Sequence, residues 1–117
     1  MIDLSIFLGL AGIDLGAFAD KPTTLTPGQR EASTALWTSP DGRVEIGVWE
    51  CTPGRFTADR SAAAEFCHIL SGRIEMRHVD GRIEHLGPGN ALMLPQGWKG
   101  EWLLMAQTRK IYVMIRP

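Results

Sequence analysis

Apolar and polar positions along this chain fall into short runs, each closed by a cluster of turn-forming residues. The clusters are Ser39-Pro40-Asp41-Gly42, Pro53-Gly54, Ser71-Gly72, Asp80-Gly81, Gly87-Pro88-Gly89-Asn90 and Pro95-Gln96-Gly97. Between them lie stretches rich in β-branched, aromatic and aliphatic side chains, the signature of regularly spaced strands in a sandwich or barrel. The pattern predicts strands over 35–38, 44–51, 65–70, 73–79, 82–86, 91–94, 99–105 and 109–115. Period-two alternation is clearest in Arg73-Ile74-Glu75-Met76-Arg77, whose charged face is read as solvated. Asp41-Gly42 and Asp80-Gly81 are expected as type I′ hairpin turns, which need positive φ at both central residues. No stretch sustains helical periodicity over ten residues; Ser61–Ala64 is read as a loop or a single helical turn. Residues 1–34, with Pro22, Pro27 and several threonines, are weakly patterned. They are expected to form an arm or edge strand on the barrel or on a partner subunit, with residues 35–117 as the barrel itself.

Length and charge narrow the function classes. A chain of 117 residues is one domain's worth and buries one core. Twelve basic against thirteen acidic residues, with no run of one sign, offer no footprint for nucleic acid or a membrane surface. Cys51 and Cys67 do not form a disulfide framework, so free thiols in a reducing cytoplasm are expected. The apolar run from Leu4 to Leu15 lacks the basic start of a secretory signal, carries Asp3 and Asp14, and is too short to span a bilayer.

Two segments carry a family resemblance. Glu65 and Gly72, with six residues between them in EFCHILSG, and Gly89, Pro95 and Gly97 in GNALMLPQG, match the spacing of the two motifs of the cupin superfamily. More narrowly, Ile46-Gly47-Val48-Trp49 followed by ECTPG, EFCHILSG and the RKIYV ending resembles the small cupins that include ureidoglycine aminohydrolase-like and ethanolamine-utilisation proteins. The resemblance implies an all-β, single-domain jelly roll, a β-barrel of the RmlC-like kind. It transfers no reaction, because one fold hosts many.

The same resemblance implies a metal held by a His-x-His pair, the motif glutamate and a further histidine. Here the pair would fall at Asp59 and Ser61, or at Ala58 and Arg60, and the third histidine at Gly100; an asparagine usual four residues further on is Leu104. No metal and no cofactor are therefore expected. His68 falls on the face opposite Glu65, and His78 and His85 flank a turn as a solvent-facing pair. A set built from Cys67, Glu65 and Cys51 is a weaker alternative to two buried thiols.

Candidate binding residues follow from alternation. If Glu65 points inward, so do Cys67 and Ile69, and on the later strand Trp98, Gly100, Trp102 and Leu104. A buried carboxylate needs a partner, and Arg60, Lys110 and Tyr112 are the candidates. Glu65, Cys67, Arg60, Trp98, Trp102, Lys110 and Tyr112 are thus the expected ligand-binding set, with Glu65 the best catalytic candidate if its pKa is drawn toward neutrality. The expected function is binding of a small metabolite without the usual His-bound metal. Two other readings stand beside it: a metal-dependent, aminohydrolase-like enzyme with an atypical ligand set, and a non-catalytic structural or regulatory homodimer.

Overall fold

A computed structural model describes residues 2–117. Its strands are β1 (Ala19–Asp20), β2 (Arg30–Thr38), β3 (Val44–Cys51), β4 (Gly54–Asp59), β5 (Ala64–Ser71), β6 (Ile74–His78), β7 (Ile83–Leu86), β8 (Ala91–Leu94), β9 (Lys99–Leu104) and β10 (Thr108–Ile115). The helical content of the described residues is one 3-10 turn, Leu4–Phe7, capped by the Asp3 carboxylate. No helix among these residues is long and apolar enough to cross a membrane. All pairings are antiparallel and form two sheets, β1-β2-β3-β10-β5-β8 and β4-β9-β6-β7. The jelly roll is thus two facing sheets; the sheets are not closed into one hydrogen-bonded barrel.

Alternation explains which side chains meet between the sheets. Along β5, Glu65, Cys67 and Ile69 are buried, while Phe66 between them is exposed. Trp102 and Leu104 of β9 and Ile74 and Met76 of β6 come up from the other sheet and complete the core. Full burial of each such aliphatic side chain stabilises by about 1.5–3 kcal/mol. Trp49, Phe56 and Trp102 form an aromatic cluster under the mouth of the sandwich, with Phe56 stacked on Trp102 at 5.7 Å and Trp49 edge-on to both.

The segment between β1 and β2 ties the two sheets together at that mouth. Leu25 donates its backbone N–H to Arg55 and Thr57 donates to Thr23 across to β4. Further toward the N-terminus the chain crosses the outer face of the larger sheet, where Arg109 donates to the carbonyls of Leu10 and Ile13.

Several local expectations are corrected. β2 begins at Arg30 rather than Ala35 and β4 was not anticipated, while of the two readings of Ser61–Ala64 the loop holds, with β5 starting at Ala64. The Asp-Gly turns are not type I′, since no non-glycine residue among those described has positive φ. At the second of them, Gly81 donates to His78 and His78 donates to Arg82. That makes a three-residue loop in which only Gly81, at φ +93°, takes the left-handed conformation.

Candidate functional site

Glu65 lies at the base of the mouth, 3% exposed, on β5, between β10 and the edge strand β8. Its carboxylate is held by two cations. Arg60 donates through Nε at 3.0 Å and Nη2 at 2.7 Å to Oε1, and Lys110 Nζ donates to Oε2 at 2.9 Å. Lys110 reaches it because β10 pairs with β5, and its ammonium also sits over the rings of Trp102 at 4.3 Å and Trp49 at 4.5 Å. Arg60 follows β4, and its backbone is pinned by the Pro95–Gly97 turn: Gly97 donates to Arg60, and Arg60 donates to Trp98. The second sequence motif therefore positions the guanidinium that meets the glutamate of the first.

The charge state follows. Burial alone would raise the Glu65 pKa, but the ammonium of Lys110 and the guanidinium of Arg60 outweigh it and hold the carboxyl at about 2. Burial pulls Lys110 down, and the Glu65 carboxylate overcompensates, so its pKa is raised. Both groups stay charged at neutral pH. Glu65 is drawn away from neutrality, opposite to what general acid or base work requires.

A second cluster lies nearer solvent. Lys21 donates to Glu31 Oε1 at 2.8 Å and sits 4.2 Å from the centre of the Phe56 ring. The same Glu31 oxygen accepts the indole N–H of Trp49 at 2.8 Å. Burial pushes the Glu31 carboxyl up, but the bonds from Lys21 and Trp49 bring it below its ordinary value. Tyr112 does not reach Glu65. It faces Gly47 across the β3–β10 ladder, where a Cβ would collide with the phenol ring, and it donates to Glu45 at 2.7 Å. Burial first, and then the bond to Glu45, raise the Tyr112 pKa.

These residues enclose a cleft of about 210 Å³ lined by Lys21, Glu31, Ser33, Trp49, Phe56, Arg60, Glu65, Lys110, Tyr112 and Met114. Of the residues expected from sequence, Glu65, Arg60, Lys110 and Tyr112 are brought together here. Trp102 lies beneath, fully buried, and is touched through Lys110. Cys67 is also fully buried below the charged layer; burial pushes its thiol up to about 12, against the pull of Lys110. Trp98 is elsewhere. It donates its indole N–H to His78 Nδ1 at 2.9 Å, and its ring covers Gly100. His78 is consequently not a free surface histidine, since its Nε2 also pairs with Glu84. Lys21, Glu31, Ser33, Trp49, Phe56 and Met114 were not singled out in the sequence. The one usable signal was the polar pattern Lys21…Glu31-x-Ser33, because period-two polar positions on a strand mark one shared face.

The residues present do not fit the metal that the fold family implies. Both oxygens of Glu65 are already engaged by cations, and a guanidinium stands at position 60. At position 100 a Cβ would lie 2.6 Å from the Trp98 ring, so the space for a histidine is filled. Among the described residues no three His, Cys, Asp or Glu side chains converge as a ligand set.

Two facing antiparallel sheets with a polar cleft at one mouth, carried on the Glu65–Gly72 and Gly89–Gly97 motifs, define a small single-domain cupin. The chain matches the sequence model of the EutQ-like cupin domain over residues 38–112, more than half its length, and belongs to that family. Among solved structures it is similar to the EutQ protein of Clostridium difficile, with 24% identity and a TM-score of 0.68 over 80% of this chain and 73% of that one. A DUF861 family protein from Thermotoga maritima is 28% identical, with a TM-score of 0.53 over 56% of this chain and 73% of its own. The polyketide cyclase RemF from Streptomyces resistomycificus has 21% identity and a TM-score of 0.65 over 86% and 75%. At such identities EutQ and RemF testify to the fold alone. No curated protein matches the chain.

Proposed function

We propose that this cupin binds a small metabolite in the cleft above Glu65, and that the Arg60–Glu65–Lys110 cluster takes the place of a metal there. The observation that carries this reading is the carboxylate saturated by two protein cations at the position where the family resemblance places a metal ligand. Binding is favoured over proton-transfer catalysis because neither Glu65 nor Tyr112 is set to exchange a proton near neutral pH. A concave site with an aromatic wall and a few fixed polar groups is the usual form of a small-molecule pocket. Cys51 and Cys67, both buried free thiols, suit a reducing compartment such as the cytoplasm.

The test is elemental analysis and native mass spectrometry of tag-free protein purified without chelator. The expected result is metal far below one equivalent per chain, together with retention of a small organic molecule. Stoichiometric iron, manganese, nickel or zinc would overturn the reading and restore the aminohydrolase-like alternative.

A second reading concerns assembly. Trp37, Ile46, Val113, Phe66 and Met93 are successive cross-strand partners over five strands of the larger sheet and form one apolar row on its outer face. Phe66 is 39% and Met93 50% exposed. This row adjoins the part of the face crossed by the N-terminal segment, and an uncharged, self-complementary strip suits a second copy related by a twofold axis. We infer a homodimer through it. Light scattering should give a dimer for the native chain and a monomer for Phe66→Glu/Met93→Glu; a native monomer across the micromolar range removes this reading.

A further inference from the structure

Resting on the binding reading above, we propose that the ligand is a compact organic monocarboxylate bearing a hydroxyl or N–H group next to an apolar portion. Three features of the cleft lead there. The first is charge: Lys21, Arg60 and Lys110 face Glu31 and Glu65, which leaves one positive charge in excess.

The second is which groups are already used. Glu65 is saturated, and Lys110 is enclosed by Glu65 and two indole rings. Lys21 is different. Its side chain is 10% exposed, yet its ammonium, with three donors, gives one hydrogen bond, to Glu31. Arg60 has five donors; Nε and Nη2 go to Glu65 and Nη1 goes to the Asp59 carbonyl, leaving two N–H groups. Unspent cationic donors of this kind suit a carboxylate. On the acceptor side, Glu31 Oε2 has no partner among the described residues, while Oε1 takes two bonds. A bare anion would be repelled by it, whereas a ligand hydroxyl or N–H would donate to it.

The third is size and lining. A cleft of about 210 Å³ holds roughly seven waters' volume, or a ligand of about ten non-hydrogen atoms, against the rings of Trp49 and Phe56.

The probe is mandelate, which has the carboxylate, the hydroxyl and an aromatic ring. It is compared with its neutral amide mandelamide, with phenylacetate, which lacks the hydroxyl, and with the cation 2-phenylethylamine. Thermal shift and calorimetry use the full chain at low and high salt. Mandelate should bind best, phenylacetate more weakly, and the amide and amine not measurably; added salt should weaken mandelate binding. Lys21→Gln should lower mandelate affinity by roughly tenfold or more, the loss of one hydrogen bond to a charged group. Equal or tighter binding of the amide or the amine would overturn the inference while leaving the binding reading intact. Failure of all four at millimolar concentration also overturns it, and the co-purified molecule sought by native mass spectrometry then judges the parent reading separately.

Discussion

Replacing Glu65 by glutamine keeps the shape of the side chain and removes its charge, which isolates what the two-cation cluster contributes. Lys110 is 4% exposed and has no other anion within hydrogen-bond reach, so its ammonium would be left buried without a counter-charge. Removing one partner of a buried ion pair costs about 3–5 kcal/mol. The depression of the Glu65 pKa by its two cations leads to a similar figure. A carboxyl held at about 2 instead of the ordinary 4.5 is stabilised in its charged form by about 3 kcal/mol. Because the folded-state pKa is depressed, this stability is fully present above the unfolded value near 4.5 and is lost as pH falls toward 2.

The measurement is urea unfolding of the wild type, Glu65→Gln, Lys110→Met and the double variant at pH 7. Lys110→Met should cost less than Glu65→Gln, because Arg60 still holds the carboxylate with two bonds. In the double variant both buried charges are gone and the remaining Arg60, partly exposed, can turn to water. It should therefore recover most of the loss, with a coupling energy of about 2 kcal/mol or more. Wild-type stability should fall between pH 5 and 2 more steeply than that of Glu65→Gln. Additive single costs, with the same acid slope in both proteins, would refute the electrostatic account and leave Glu65 as packing.

The remaining predictions test the surroundings of the site. Gly100→His restores the histidine position of metal-binding cupins, but its Cβ meets the Trp98 ring and the Arg77 carbonyl. It should cost about 2–3 kcal/mol by overpacking without raising the metal content; stoichiometric metal would show that the ligand set was recoverable after all. Cys51 and Cys67 are buried, and burial pushes their thiols up to about 11 and about 12. Both should resist a disulfide reagent at pH 8 in the folded protein and react after denaturation. Rapid labelling of the folded chain would mean that the core opens far more readily than its packing implies.

How far the sequence revealed the site depends on where alternation tracks burial. β5 was legible because Glu65, Cys67 and Ile69 face inward and Phe66 and His68 outward, and because a buried carboxylate demands a cationic partner, which named Arg60 and Lys110. The first half of β2 was not legible. Its inward positions, Glu31 and Ser33, line a polar cleft, while Ala32 is buried on the outer face. The usual hydrophobic-in pattern is inverted there, so the strand read as an arm. β4 was missed because its inward side chains are one Phe and one Ala beside Pro53-Gly54, too little apolar content to mark a strand. Trp98 failed differently: it precedes β9, in the turn, where period-two facing does not yet apply. Tyr112 was assigned the wrong partner because Gly47 lets its phenol lie across β3, a vacancy that only the register discloses.

Apart from Trp98, the side chains that defeated the pattern include Glu31, Ser33, Phe56 and Tyr112, which line the cleft, and a physical reason connects the two. A mouth between sheets can stay polar only if its inward positions are charged in matched sets, and matched charges on a strand erase its amphipathic signature. Here the matching is uneven. The deep set joins Arg60 after β4, Glu65 on β5 and Lys110 on β10, so it links both sheets as a bound ion would and uses up its carboxylate. The shallow set joins Lys21, from the segment between β1 and β2, to Glu31 on β2, and keeps unspent donors on one side and an open oxygen on the other. On the proposed binding reading, Glu65 and Lys110 serve as scaffold, while the shallow set together with the spare N–H groups of Arg60 forms the recognition surface. On that division, Lys21→Gln should lower ligand affinity more than stability, and Glu65→Gln stability more than affinity per kcal/mol lost.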